Sequence, residues 1–377
     1  MGLSITSRVC ELIRQILLQS TAGAGKPYLM RRIPASFVKA FPVKIRIVQQ
    51  LTAAAAGLVL LATAACGSPA ATTSDTTSAA PEAAGFPLTM EHTMGSTSIE
   101  TVPKRVVALD PSYIDAALLL EADLVGYVQY RQDPNAPFAP YLGDVADATK
   151  DSVNVGTLAE PNLEKILELQ PDLIVSAKVR HEALYSQLSK IAPTIFSVST
   201  GPTWKENVVF LGEALGKKAK AEELVKAYED RAAKVGAEIL AKKPDATYSL
   251  IRFTGGDTAR LYSSNSFIGE IMADMNIPRP KDQPDTEKEI FVPLSAEQIL
   301  QGDAGLVMVS AFTPAGAEGD KARAQQEAFQ SNPLWERLQG EVINVDDATF
   351  LASVSIQGAH AVITDLAKHY GVDPQLP

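Results

Sequence analysis

Arginines and aromatic rings stand at or just beyond the ends of short apolar runs in this sequence. Arg252 stands near the end of the run Tyr248-Ser249-Leu250-Ile251-Arg252-Phe253, and the Gly255-Gly256 turn after it leaves space beside the guanidinium. Ligands of open α/β sheets bind at the carboxyl ends of the strands. That rule nominates Tyr113, Tyr130, Arg131, Lys178, Arg180 and Trp204 in the first half of the chain, and Arg252, Tyr262, Asn265, Phe267, Phe312 and Phe350 in the second. A guanidinium offers forked hydrogen bonds to anionic oxygens, and rings pack an organic scaffold. The chemistry suggested is recognition of an oxygen-rich ligand. For Arg252 the alternative is a structural pairing with Asp257 or Asp274; for each aromatic residue it is core packing.

Catalytic patterns are missing from the sequence. It has no Gly-x-Ser-x-Gly elbow, no His-Glu-x-x-His and no complete nucleotide-binding loop. Asp110 and Asp115 flank a strand end and could be posed as an acid pair, but a strand-end Asp more commonly caps a helix. A bare metal ion would need converging imidazoles and carboxylates. His360 and His369 share a terminal helix at a nine-residue gap, which does not aim both at one ion, and His92 and His181 lie far off in sequence.

The first 65 residues read as a processing signal. Lys39, Lys44 and Arg46 precede an apolar run from Leu51 to Ala62, and Ala64-Ala65-Cys66-Gly67 follows. A run of roughly 12 residues is too short for a spanning helix, which needs about 20. A start at Met30 gives the more ordinary basic region. Positions 1–65 hold eight Lys or Arg and one acidic residue, which leaves 26 basic against 43 acidic residues beyond them, a net charge near −17. So acidic a body is unsuited to nucleic acid.

From Gly67 to Gly85 the composition is Ser, Thr, Ala and Pro, too poor in apolar surface to offset ordering entropy. A flexible tether of about 19 residues has a mean span of order 25 Å. Beyond it, apolar runs alternate with amphipathic ones: Arg105–Asp110, Asp172–Ser176 and Thr194–Val198 read as strands, and Tyr113–Glu121 and Leu163–Leu169 as helices. A long helix over about Ala219–Ala241 carries Leu224, Tyr228, Ala232, Val235 and Ile239 on one face and ends before Pro244. A second set follows: strands at Tyr248–Phe253, Gly305–Ser310 and Glu341–Val345, then a helix over about Ser353–Tyr370. The pattern predicts two Rossmann-like α/β lobes, 86–216 and 244–377, joined by one helix at 217–243, with a ligand cleft between them.

Several segments together resemble the periplasmic binding proteins for iron-siderophores and vitamin B12. They are Pro103–Leu109, Val155-Gly156, Pro161–Ile174, Ile191–Thr194 and Pro293–Leu300, of which the run Asn162–Ile174 is the most specific. Cys66 after its small residues resembles the lipobox cysteine of bacterial lipoproteins, although Thr63 stands where that family prefers Leu. The resemblance implies a lipidated Cys66, a tether over 66–85, and anchorage to the outer face of the bacterial cytoplasmic membrane. It also implies a monomer that hands its cargo to the permease of an ABC importer, with Glu164 and Glu297, one on each lobe, docking on permease arginines. The cargo would be a ferric siderophore, which supplies six oxygen ligands to its own iron, so neither a cofactor nor a protein metal ligand is expected. Corrinoid binding, or haem with Tyr113 or Tyr130 as axial ligand, stays open at this point. A single helical hinge implies only small lobe rotation.

Overall fold

The computed structural model describes residues 85–129 and 137–376, so the expected signal segment and tether lie outside the described residues. A hairpin of β1 (Leu88–His92) and β2 (Gly95–Ile99) leads into a five-stranded parallel sheet. Its strands are β3 (Val106–Ala108), β4 (Leu124–Gln129), β5 (Val153–Thr157), β6 (Leu173–Ala177) and β7 (Thr194–Ser197), in spatial order β5-β4-β3-β6-β7. The central strands β3, β4 and β6 are buried along their whole length, as strands in a doubly covered sheet should be. The second sheet repeats the plan with β8 (Tyr248–Phe253), β9 (Ala259–Tyr262), β10 (Phe291–Leu294), β11 (Leu306–Ala311) and β12 (Glu341–Asn344), ordered β10-β9-β8-β11-β12. Here β9 runs antiparallel to β8 and β10, while β8, β11 and β12 are parallel. In both sheets the chain leaves the central strand to one side and then returns to the other. The strand order therefore reverses beside β3 and beside β8, and each reversal opens a crevice at the carboxyl ends.

Helices α1 (Pro111–Leu119) and α2 (Leu163–Glu168) serve the first sheet, and α3 (Trp204–Ala214) turns directly into the long α4 (Lys218–Lys242). Its 25 residues run about 37 Å. Tyr228, Ala232, Val235 and Ile239 on its expected apolar face are buried and Leu224 is partly so; Ala221 and Arg231 are buried as well. The second sheet carries α5 (Phe267–Asp274), α6 (Ala317–Gln330) and α7 (Ile356–Tyr370). One apolar cluster runs from Val106 and Leu173 under the first sheet, through Trp204, Tyr228 and Val235, to Leu250, Ile271 and Met308 under the second.

The chain passes from one lobe to the other through α4, and packing between the lobes extends well beyond that helix. α7 belongs by sequence to the second lobe but lies against α1 and against the turn Pro140–Leu142, as well as against α4. It also begins three residues later than expected. A π-turn at Ala348–Ala352 and the left-handed Val354 (φ 41°) intervene before it.

Gly236 sits in the middle of α4, where helix propensity alone would favour alanine by about 1 kcal/mol. A Cβ there would lie 1.9 Å from the carbonyl oxygen of Met275, just after α5. Close approach of the two backbones explains the glycine. Gly236→Ala is expected to lower stability by about 1–3 kcal/mol through overpacking, measured as a drop in the urea midpoint; a gain would mean the helices can separate freely.

Candidate functional site: an arginine-lined cleft

The two crevices face each other. Asp110 follows β3 and caps α1, its Oδ1 accepting from the Ser112 amide (2.9 Å) and hydroxyl (2.6 Å). Its Oδ2 accepts from Nε of Arg180 at 2.8 Å, across the reversal between β3 and β6. Arg180 stands on the helical turn Lys178–His181 directly after β6, and its Nη2 also reaches Thr200 Oγ1 at 3.4 Å. Asp110 is thus a helix cap and an arginine brace; its carboxylate is paired with Arg180, not with Asp115.

The second lobe builds a matching pair. Arg252 near the end of β8 donates from Nε and Nη2 to the two carboxylate oxygens of Asp347 at 2.6 and 2.7 Å. Asp347 also accepts from Ser310 on β11 (3.1 Å), while Nη1 of Arg252 donates to the Tyr262 hydroxyl at 3.2 Å. Phe312 lies 5.2 Å from the guanidinium, ring to carbon. The partner is neither Asp257 nor Asp274; Asp274 takes Lys205 and the Tyr228 hydroxyl instead. A fork-to-fork pair of this kind holds the guanidinium plane in one orientation.

Between these pairs lies a cleft of about 200 Å³. Among the described residues Arg180, Arg252 and Arg260 are its cations, with Tyr262, Phe267, Thr200, Leu351 and Val354 among its walls. Arg260, which sequence reasoning passed over, lies on β9 with its guanidinium 4.6 Å above the Phe291 ring. An arginine inside a four-residue antiparallel strand gives no strand-end signal. Its position beside Arg252 comes from the β8–β9 register, in which the two are direct partners.

Of the nominated residues, the structure brings Arg180, Arg252, Tyr262 and Phe267 to the cleft wall and sets Phe312 against Arg252. Five others stand elsewhere, three of them in the core. Tyr113 is fully buried on the inner side of α1, where burial holds its hydroxyl above the usual phenol range, so it cannot serve a haem as axial ligand in this arrangement. Trp204 opens α3 and is wedged edge-on between Tyr228 and Phe267, with centroids 4.8 and 5.4 Å away. Phe350 packs into the same core. In each case the ring is drawn under the cleft by the continuous apolar cluster. Lys178 pairs with Glu182 at the surface and, like Asn265, does not line the cleft. Tyr130, Arg131 and Cys66 lie outside the described residues.

The histidines occupy separate sites. His181 bonds to Ser176 and to the Leu158 carbonyl, while His360 accepts from Arg231 and is pushed down to about 4 by burial and by that neighbouring charge. His369 faces Glu341. Glu164 and Glu297 are exposed, each in the first turn of its short helix, on opposite sheets. Hydrogen bonds from its own amide and from Ser295 hold the Glu297 carboxyl below its usual range.

Asp347→Ala, which strips the buried carboxylate from Arg252, is expected to cost about 3–5 kcal/mol, measured by urea denaturation. A loss below about 1 kcal/mol would mean that the pair behaves as a surface contact.

Comparison with known proteins agrees with this geometry. The family described as periplasmic binding protein matches residues 106–340. The chain is 32% identical to the "Probable siderophore-binding lipoprotein YfiY" of Bacillus subtilis, over 75% of this chain and 87% of that one. It is 28% identical to the "Fe(3+)-citrate-binding protein YfmC" of the same organism, over 73% and 83%. Among solved structures, Staphylococcus aureus SirA complexed with staphyloferrin B superposes with a TM-score of 0.69 at 30% identity, covering 76% of this chain and all of SirA. With two α/β lobes, a linking helix and a cleft at the facing strand ends, the chain belongs to the periplasmic binding protein family, alongside the substrate-binding proteins of iron-siderophore ABC importers.

Proposed function

We propose that this protein captures a ferric siderophore outside the cell and delivers it to an ABC importer, acting by binding and not by catalysis. The observation that carries this reading is the convergence of Arg180, Arg252 and Arg260 on one cleft between the lobes. Two of the three are braced from behind by buried carboxylates. A brace of this kind orients a guanidinium before the ligand arrives, so less ordering entropy is lost on binding. A ferric siderophore presents anionic oxygens around an already filled iron shell, which suits hydrogen-bond donors better than metal ligands. The names of YfiY, YfmC and SirA with its staphyloferrin B support the same cargo class.

The remaining assignments follow from this reading. Residues 86–216 and 244–377 form the lobes, and Cys66 carries a lipid that holds the monomeric protein on the outer face of the cytoplasmic membrane. Glu164 and Glu297 contact the permease. Their exposure and their place on different lobes suit a partner that reads both lobes at once.

Tryptophan fluorescence of the soluble body, cut after Cys66, tests the cargo. Trp204 touches Phe267 of the cleft wall, so a bound ferric complex should quench it. Saturable quenching is expected with ferric hydroxamate, catecholate or citrate complexes, and Arg180→Ala and Arg260→Ala should each weaken it about tenfold, or roughly 1.4 kcal/mol. Quenching by haem or cobalamin alone would overturn the assignment.

Reversing Glu164 or Glu297 to Lys should slow uptake in cells and leave the quenching curve unchanged, since rim charges govern encounter more than cleft contacts do. A loss of cargo affinity in either variant would remove the docking role.

A further inference from the structure

Asp115 touches no cleft surface, yet it is fully buried and ties the two lobes together. It sits in α1 of the first lobe, and every hydrogen bond of its carboxylate goes to the start of α7 in the second. Oδ1 accepts from the Ser355 hydroxyl at 3.0 Å, from the Gln357 amide at 3.4 Å and from the Gln357 side-chain nitrogen at 3.3 Å. Oδ2 accepts from the Gly358 amide at 3.3 Å. Helix starts leave backbone N–H groups without partners inside the helix. Here the cap comes from the opposite lobe, since the α7 cap residue Ser355 makes no side-chain cap bond of its own.

The segment held in this way is the one that builds the cleft floor. Asp347 braces Arg252; the π-turn Ala348–Ala352 and Val354 follow, and Leu351, Ala352 and Val354 all line the cleft. Val354 holds φ at 41°, a region that a β-branched residue enters only when its surroundings force it. Gly358 completes the fit, because a Cβ there would lie 2.1 Å from the Ser353 side chain. The strained stretch is thus pinned at one end by Arg252–Asp347 and at the other by Asp115.

We propose that Asp115 is a positioning residue for the cleft: by capping α7 across the lobe boundary it holds residues 347–355 in the shape that receives cargo. The proposal rests on the cargo-binding reading of the cleft. Burial also raises the Asp115 carboxyl to about 7. Among the described residues, Tyr141 from the turn Pro140–Leu142 interacts electrostatically with it, and the first turn of α7 brings no acidic side chain. A carboxyl raised on folding contributes stability that is complete below its ordinary range and is lost as pH climbs through about 7. Asparagine has no ionisable proton, so it removes that dependence; its Oδ1 can still accept from Ser355 and Gln357, and only the bond from Gly358 is lost.

The test uses the full-length protein and its Asp115→Asn and Asp115→Ala variants. Without ligand, amide hydrogen exchange should speed up at least tenfold over residues 347–358 in Asp115→Ala while β3 and β8 stay protected, and Asp115→Asn should restore the slow rates. With ferric citrate as probe, Asp115→Ala should bind at least tenfold more weakly through faster dissociation, and Asp115→Asn should bind like the parent. Between pH 6 and 8 the urea midpoint should fall in the parent and stay level in Asp115→Asn. Should Asp115→Ala not fold, Ser355→Ala with Gln357→Ala takes its place in both measurements. Unchanged exchange at 347–358, or faster exchange with unchanged affinity, overturns the proposal. If the parent binds none of the ferric complexes, the cargo reading fails while the exchange result still decides the cap.

Discussion

The buried face of α4 is the constraint on which the cleft depends. A rod of about 37 Å with Tyr228, Ala232, Val235 and Ile239 on one side can stay in place only if both lobes cover that side. They do so with one uninterrupted apolar cluster, in which Trp204 fills the gap between Tyr228 and Phe267. Because close-packed interiors resist deformation, this cluster opposes any change in the distance between the two sheets. The cleft is a consequence of where this cluster ends.

Above that cluster the two sheets use one device twice. At each strand-order reversal a buried aspartate holds an arginine: Asp110 with Arg180 in the first lobe, Asp347 with Arg252 in the second. Each carboxylate offsets the charge of its arginine but leaves the guanidinium oriented, so these two pairs contribute directed donors more than net charge. Arg260 adds a third cation, stacked on Phe291. The result is a polar, donor-rich wall carried on and beside the sheet strands, which suits the proposed oxygen-rich anionic cargo.

Much of this architecture was legible in the sequence because it is written in local periodicity. Tyr248–Phe253 is a strand over the residues expected, and Lys218–Lys242 extends the expected helix by one residue at each end. Strands β4, β5, β9 and β10 were missed because their residues alternate weakly or contain Gly and Pro, as in Val-Asn-Val-Gly-Thr and Phe-Val-Pro-Leu. Arg180 and Arg252 were found because they stand at strand ends. Their partners were not, because Asp110–Arg180 and Arg252–Asp347 join residues 70 and 95 positions apart, a separation that no local pattern encodes. Tyr113 and Trp204 were misplaced for the complementary reason. An aromatic residue near a strand end reads the same whether it faces a cleft or the core, and only packing distinguishes the two.

A preformed cleft between nearly rigid lobes is a claim that solution X-ray scattering tests directly, with and without a saturating ferric chelate. Superimposable curves, differing only by the added ligand, are the result it predicts. A marked compaction on loading would contradict it, since the apolar cluster beneath the cleft would then have to yield.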